Sequence, residues 1–395
     1  MNIINENNSF RYEIVYPLFK KGSTFSNDLV KKCDDHKTSL NHYISKQTIN
    51  NTDQMNFNQK TTTPTYKLNI VWLNVFIMGS LHLMFIYTFY LMPRGKLLSF
   101  VWMWILFIFS ITFGIQIAAH RLWFHHSFKA STGLRWFLSM CQVMALQNSI
   151  YEWVRDHRAH HKFVDTYADP HNARRGLFFS HVGWLLVKKH LEVKRRGATL
   201  DLSDLEAYSV VTFQRRYYIT LVLLVWGIIP TIVPLLWGEQ LLLSFMFFVP
   251  FRYVLSLNLT WCINSWAHTY GNRPYNKNIL AIEINIRDLV MGDGFHNYHH
   301  TFPWDYSSSE FGPLDVYNPS TALINFFHYM GWAWDLKRAP RSLVKGKVTA
   351  TGDVNKKLAI YGPGDWRHFW YEWIRGLSVM FALFGTFVAI NIFCK

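Results

Sequence analysis

The chain has 395 residues, of which 50% are hydrophobic and 17% aromatic but only 16% charged, with a formal net charge of +15. A charged fraction so far below the usual quarter argues against a soluble domain and favours a membrane protein. In a membrane protein such a basic excess marks the cytoplasmic face or a site for anionic substrates, so no nucleic-acid partner is expected.

The four cysteines are scattered and form no CxxC pair, which excludes a disulfide framework and a zinc ribbon. Residues 1–66 are polar and rich in Asn, Lys, Ser and Thr. Since no early apolar stretch resembles a secretory signal, we expect no cleaved signal peptide. The composition predicts a disordered cytosolic tail.

Four stretches of the chain are long and apolar enough to cross a bilayer as helices. They are Leu68–Met92, Leu97–Ala119, Tyr217–Trp237 and Leu241–Ala267. Short turns join them in pairs, which predicts two transmembrane hairpins at residues 67–119 and 217–267. Arg252 interrupts the last stretch, so it either faces protein or marks an irregular membrane segment.

The segment between the hairpins, residues 120–216, contains fifteen Lys or Arg residues, whereas the two short turns contain two and none. The positive-inside rule therefore places this segment in the cytosol, together with residues 268–375. Periodicity in both segments is mostly helical. We expect an all-α integral membrane protein whose cytosolic helical domain follows directly from the ends of the spans.

Histidines are concentrated in this predicted cytosolic domain. The pattern His-x-x-His-His occurs twice, and further histidines follow the second and fourth spans. Positions i, i+3 and i+4 share one face of a helix, so each pattern presents three imidazoles together. The nine candidates, enough for two metal ions, are His120, His125, His157, His160, His161, His268, His296, His299 and His300.

All-imidazole ligation suits zinc, copper, iron or nickel. A zinc hydrolase needs a general base beside the metal, but Arg158 and Asn297 occupy the places where a glutamate would serve. The absence of a cysteine cluster argues against copper or an iron–sulfur centre. Two redox metals beside a membrane indicate oxygen chemistry on a lipid.

Several motifs resemble those of the membrane fatty acyl-CoA desaturases, especially insect members, from about Tyr66 to Lys356. They include "HRLWFH", "YEWVRDHRAHHKF", "NSWAHTYGNRPYN" and "GDGFHNYHHTFPWDY". The resemblance implies a di-iron enzyme of the endoplasmic reticulum that uses O2 to place a cis double bond in a fatty acyl-CoA. Electrons would come from cytochrome b5 and its reductase on the cytosolic face.

The resemblance also assigns the ligands. One iron would take His120, His125, His157, His161 and His299, and the other His160, His268, His296 and His300. Asn264 would hold a water near the second iron. The residues expected to bind substrate are Asn148, Arg155, Lys188 and Lys189 near coenzyme A, and Trp261 and Trp266 along the acyl tunnel. Apart from the resemblance, nearby carboxylates are candidates to orient the ligand rings, with ordinary salt bridges to Arg155 or Arg158 as the alternative. They are Glu152, Asp156, Asp165 and Asp169.

The sequence departs from the family in three places. Trp266 stands where a small residue is expected, and Arg287 and Asp288 interrupt a stretch that is usually apolar. The last 30 residues have no counterpart in the family, yet residues 376–394 are uncharged and follow an aromatic segment. This predicts a fifth span, with a helix lying in the membrane interface as the alternative.

Other functions stay open at this stage. Delta-9 desaturation of a 16- or 18-carbon acyl-CoA is the default that the family implies. A related His-rich lipid hydroxylase, or a desaturase with another regiospecificity, would use similar boxes. A membrane metal transporter would place its ligands inside the spans, where His82 is the only histidine in an apolar run.

Overall fold

The computed structural model describes residues 68–284, 286–353 and 366–393. The predicted tail, residues 1–66, lies outside the described residues, as do Cys394 and Lys395. The described chain is almost entirely helical, with one two-stranded ribbon. The all-α expectation is confirmed.

Four helical stretches are long and apolar enough to cross a membrane, as predicted for the two hairpins. They are the first span, Trp72–Arg94, the second span, Leu97–Phe124, the third span, Tyr218–Trp237, and the fourth span, Leu241–His268. The second span continues past its predicted end at Ala119. The reason is that its last turns are buried by protein, so their polar side chains need not face lipid.

The spans combine α-helix with tighter and wider turns. The α-helical part of the first span is α1 (Trp72–Leu91), and that of the second span is α2 (Leu97–Ile108). The third span contains α-helix at Tyr218–Leu221 and Ile229–Ile232, and the fourth at Leu241–Met246 and Arg252–Ser265. Between or after these lie 3₁₀ turns at Met92–Arg94, Val233–Trp237 and Trp266–His268, and π-helical turns at Phe109–Phe124, Val222–Ile228 and Phe247–Phe251.

The remaining helices lie outside the four spans. Those between the hairpins are Thr132–Ala145, Ile150–Phe163, Trp184–Leu186, Leu191–Gly197, Ser203–Glu206 and Ser209–Arg216, with short turns at Ala173–Arg175 and Phe179–Gly183. Those after the fourth span are His296–Thr301, Pro319–Tyr329, Arg341–Thr351 and Trp366–Phe393. The ribbon pairs Lys129–Ala130 antiparallel with Ala333–Trp334.

The two hairpins are joined at their turns by a buried carboxylate. Glu239 accepts hydrogen bonds from the Lys96 amide at 2.8 Å and the Ser99 hydroxyl at 2.6 Å. It is 5% exposed and occupies the N-terminus of the second span, where a carboxylate satisfies free amides. The turn ends of both hairpins are therefore held together, opposite the end that carries His120 and His268, which we call the histidine end.

Arg252 faces protein and also follows an irregular turn, so both readings of its position hold. Its guanidinium donates to the Ser110 hydroxyl at 2.6 Å and to the carbonyls of Phe248 and Met144 at 2.9 and 3.0 Å. The preceding π-helical turn contains Pro250. A buried cation satisfied by oxygen acceptors ties the fourth span to the second without exposing charge to lipid.

Local capping explains the helix that carries the first His-x-x-His-His pattern. The Ser149 hydroxyl accepts from the Glu152 amide at 3.4 Å, which gives the helix Ile150–Phe163 a Ser-x-x-Glu start. Its buried residues Ile150 and Val154 pack in a core with Ile117 and Trp123 of the second span. The helix is thereby fixed against the histidine end of the membrane bundle.

The last helix, Trp366–Phe393, is continuous over 28 residues and packs against both α2 and the turn Met92–Arg94. Near its start, His368 and Trp373 contact the carbonyls of Asp315 and Pro313, which belong to the domain at the histidine end. The helix therefore follows the second span from the histidine end to the turn end. We propose that it is the fifth span predicted for residues 376–394.

A C-terminal N-glycosylation tag tests this topology. An acceptor site placed a dozen or more residues beyond Lys395 should be glycosylated in microsomes, because a fifth span puts that end in the lumen. The same tag placed before the first span serves as the cytosolic control. A C-terminal tag that stays unmodified, and that protease removes from intact microsomes, would contradict the fifth span.

Candidate metal centre

The end of the second span brings two histidines together. The His125 amide donates to the His120 carbonyl at 3.1 Å, an i to i+5 bond that belongs to a π-helical turn. This wider turn places residues five apart on one face, and the two ring centroids lie 4.8 Å apart. The five-residue spacing in "HRLWFH" therefore brings the two histidines together by means of a π-helical turn.

The other histidines come from three further elements. The helix Ile150–Phe163 carries His157, His160 and His161, and the helix His296–Thr301 carries His296, His299 and His300. His268 ends the 3₁₀ turn that closes the fourth span. Both His-x-x-His-His patterns are helical, as the spacing predicts.

All nine predicted histidines meet in two adjacent groups of nitrogen atoms that can each hold a metal ion. The first group is His120, His125, His157, His161 and His299, and the second is His160, His268, His296 and His300. Within each group the ligand atoms lie within 4.8 Å of one another. The rings of His161 and His300 stack at 4.2 Å and join the groups. This grouping matches the division that the resemblance implies.

The nitrogen contacts cannot be ordinary hydrogen bonds. His299 Nε2 lies 3.0, 3.1 and 3.2 Å from the Nε2 atoms of His120, His125 and His161. One imidazole nitrogen carries either a single proton or a single lone pair, so it cannot pair with three others. Two nitrogens bound at right angles to a metal at about 2.1 Å would be about 3.0 Å apart. The geometry is compatible with ligands around a metal ion.

The second group shows the same convergence with fewer ligands. His296 Nε2 lies 3.0 Å from His268 Nε2 and 3.1 Å from His300 Nε2. Asn264 lies four residues before His268 on the same span, half-buried. Four imidazoles leave room for a further ligand at this site, which is where the resemblance places a water held by Asn264.

Burial keeps these imidazoles neutral. It lowers the pKa of His160 to about 3, and it holds the pKa of His157, His161 and His300 well below 6.5, with neighbouring histidines adding to the effect. His157 Nε2 is buried and has no hydrogen-bond partner among the described residues. Neutral rings with unpaired nitrogens are the form that binds metal.

Carboxylates lie behind several of the rings. Asp169 Oδ1 is 3.0 Å from His160 Nδ1, Asp165 Oδ1 is 3.9 Å from His268 Nδ1, and Asp293 Oδ2 is 4.0 Å from His120 Nδ1. Of these three contacts, the one from Asp169 is a hydrogen bond, and it orients the His160 ring with Nε2 free for a metal. The contacts of Asp165 and Asp293 are too long for direct hydrogen bonds. Burial raises the pKa of Asp165 to about 6 and raises that of Asp169 as well.

The other two predicted carboxylates lie elsewhere. Asp156 pairs with Arg155 at 3.1 Å and with Lys189, and Glu152 pairs with Arg215 at 3.4 Å. The salt-bridge alternative therefore holds for Asp156, whose partners include Arg155, while Glu152 forms its ion pair with Arg215 instead.

Sequence reasoning missed two residues of this region. Asp293 contacts His120, which is distant in the sequence, so no spacing pattern identified it. His171 forms a third candidate group with His160 and Asp169, and its Nδ1 lies 3.6 Å from Asp169 Oδ1. Its position in the loop after the first His-x-x-His-His pattern gave no spacing signal.

The residues expected to bind substrate are placed as follows. Arg155 and Lys189 meet at Asp156, and Lys188 and Asn148 are exposed. Trp261 is 3% exposed and packs among the membrane spans beside His82 and His181. Trp266 is 40% exposed, and its ring contacts Tyr270 at 5.7 Å.

Alanine variants separate metal ligands from other histidines. His161→Ala and His300→Ala should each lose at least one bound metal, because each removes a nitrogen from a converging group. His126→Ala and His190→Ala are the matched controls, since these rings contact Asp204 and Tyr167 instead. Metal content of the purified proteins is measured by mass spectrometry. Full metal in His161→Ala would contradict the assignment.

Comparison with known proteins supports the resemblance to fatty acid desaturases. The profile described as fatty acid desaturase matches residues 97–315. Stearoyl-CoA desaturase 5 of Bos taurus is 49% identical over 290 residues, 73% of this chain and 86% of that protein. Acyl-CoA Delta-9 desaturase of Acheta domesticus is 46% identical over 303 residues, 76% of this chain and 83% of that protein. The resemblance is confirmed, and the chain belongs to the fatty acid desaturase family of oxidoreductases.

Proposed function

We propose that this protein is a membrane acyl-CoA desaturase that introduces a cis double bond at the delta-9 position of a 16- or 18-carbon acyl-CoA. The proposal depends chiefly on one observation, the convergence of nine neutral imidazoles in groups of five and four. Relatives named as stearoyl-CoA and acyl-CoA delta-9 desaturases, matched over about three quarters of the chain, support the substrate class.

The donor set fits two irons. The first would be held by His120, His125, His157, His161 and His299, and the second by His160, His268, His296, His300 and a water near Asn264. Bound iron with O2 supplies the oxidising power that removal of hydrogen from an unactivated methylene requires. The protein holds the rings neutral through burial, and Asp169 orients the His160 ring by a hydrogen bond.

The reaction is balanced by two external electrons. Two adjacent methylenes each lose one hydrogen to form the double bond, and O2 with two further protons and electrons yields two water molecules. We propose cytochrome b5 and its reductase as the electron source, with the active site on the cytosolic face of the endoplasmic reticulum. The fifteen Lys or Arg residues between the hairpins support that orientation.

A zinc hydrolase does not fit the residues beside the ligands. Arg158 donates to Asp204 at 2.7 Å, and Asn297 accepts from the Tyr275 amide at 2.9 Å and donates to the Ala281 carbonyl at 2.8 Å. Both side chains are engaged in structural bonds, and neither can act as a general base. A transporter is also disfavoured, because the two groups gather where spans end and not along their length.

The coenzyme A headgroup is anionic and stays outside the bilayer. Arg155 and Lys189 both contact Asp156 on the helix Ile150–Phe163. Lys188 is exposed next to Lys189, and Asn148 is exposed just before that helix. We propose that this basic surface binds the phosphates. The acyl chain would run past Trp261, whereas exposed Trp266 would act at the rim of the tunnel.

Expression in yeast that lacks its own desaturase tests the activity. The protein should restore growth without added unsaturated fatty acid, and gas chromatography should place the new double bond at carbon 9. His161→Ala is the matched inactive control. Active protein whose double bonds lie elsewhere would contradict the delta-9 assignment, and a hydroxylated product would support the hydroxylase alternative.

Reversing the basic surface tests coenzyme A binding. Changing Lys188 and Lys189 to Glu should raise the Michaelis constant for acyl-CoA by about tenfold or more, because phosphate contacts of roughly 1.5–3 kcal/mol are lost. Turnover should change less, because neither lysine belongs to the two groups of candidate metal ligands. Lys345→Glu, an exposed lysine on the helix Arg341–Thr351, is the control. An unchanged Michaelis constant would place the headgroup elsewhere.

A further inference from the structure

The segment of residues 286–293 connects the last helix to the metal centre. It consists of turns, in which the Gly292 amide donates to the Arg287 carbonyl at 2.8 Å and Met291 and Gly292 have positive φ. Asp293 ends the segment, 3.2 Å from the Arg121 guanidinium and 4.0 Å from His120. A segment without helix or strand needs outside contacts to hold such a carboxylate in place.

The same segment forms one wall of a cleft whose lining includes Asp293. Leu289, Val290 and Asp293 line it on one side, and residues of the second and fourth spans line the other. Those residues are Ile111, Ile115, Gln116, Leu259, Thr260 and Ile263. Gln116 also donates to the Val290 carbonyl at 2.9 Å, which ties the wall to the second span. Movement of the segment would therefore change both the cleft and Asp293.

The helix Trp366–Phe393 binds this segment through four charged side chains. Arg375 contacts Asp288 with two hydrogen bonds, at 2.7 and 3.1 Å, and Arg287 contacts Glu372 at 2.6 Å. Arg375 also pairs with Glu372 at 2.9 Å. Glu372 is completely buried, and Arg287 and Asp288 are 12% exposed. We call these four residues the charge clamp.

Packing around the charge clamp leaves little freedom. The Arg287 guanidinium lies over the Phe295 ring, 5.4 Å from its centroid, directly before the candidate ligand His296. Tyr317 meets Trp373 edge to face at 5.3 Å, and a Cβ atom on Gly376 would lie 2.2 Å from the Tyr317 ring. The helix can approach this closely because residue 376 is glycine.

We propose that the charge clamp is a positioning device, through which the last helix holds the segment 286–293 and so fixes Asp293 and the wall of the cleft. Arg375 and Glu372 are then positioning residues that act on the reaction through Asp293 and Leu289. The expected effect on catalysis rests on the proposed desaturase function. The contact that holds the segment does not depend on that function. The matching family profile ends at residue 315 and does not include the last helix.

The experiment compares full-length Arg375→Ala and Glu372→Gln with Arg367→Ala, an exposed arginine on the same helix. Hydrogen–deuterium exchange in peptides covering residues 286–293 should rise about tenfold in the two clamp variants and stay unchanged in Arg367→Ala. Turnover per bound iron should fall roughly tenfold in the clamp variants, since small displacements of the reacting geometry are costly. The double variant Asp288→Ala with Arg375→Ala should lose no more turnover than the less active of the two single variants.

Glu372→Gln retains the shape of the side chain and keeps the test usable if Arg375→Ala does not fold. If hydrogen–deuterium exchange at residues 286–293 in the clamp variants stayed at the wild-type rate, the proposal would be overturned. Loss of iron with unchanged turnover per remaining iron would overturn it too, because it would show a role in folding alone. Wild-type protein without desaturase activity would refute the proposed function, while the exchange data would still decide whether the clamp holds the segment.

Discussion

The structure depends on gathering nine imidazoles at buried and half-buried positions. Burial disfavours protonated rings, and each additional protonated neighbour would repel the others, so the fold admits the set only in the neutral form. Neutral rings with convergent lone pairs are in turn costly without a cation to bind them. The metal and the fold are therefore coupled, as in other sites whose ligands come from distant parts of a chain.

The membrane bundle supplies the rigidity that this gathering requires. Glu239 fastens the hairpins at their turns, and Arg252 ties the fourth span to the second near the middle of the bundle. His120 and His268 are thereby delivered at fixed positions by two spans that cannot slide past each other. The helix Ile150–Phe163 then needs only local capping and one apolar face to place three more ligands.

Sequence patterns identified the residues whose information is local. The i, i+3, i+4 spacing, the charge-free stretches and the excess of Lys and Arg predicted the His-x-x-His-His helices and the four spans. They could not predict that a π-helical turn brings His120 to His125, because propensity does not separate that turn from an α-helix. Contacts between distant residues, such as Asp293 with His120 or Asp288 with Arg375, depend on the tertiary fold and have no periodic signal.

Two of the three departures from the family, Arg287 with Asp288 and the C-terminal segment, explain each other once the fold is known. Arg287 and Asp288 would be costly in a stretch facing lipid or an apolar core, and Glu372 and Arg375 would be costly next to a membrane helix. Together they satisfy one another, and removal of any one leaves an uncompensated charge in a buried place. Apolar contacts would hold the segment 286–293 against the last helix as well, but they would tolerate sliding. A bidentate ion pair specifies one register, which is what a segment carrying Asp293 requires.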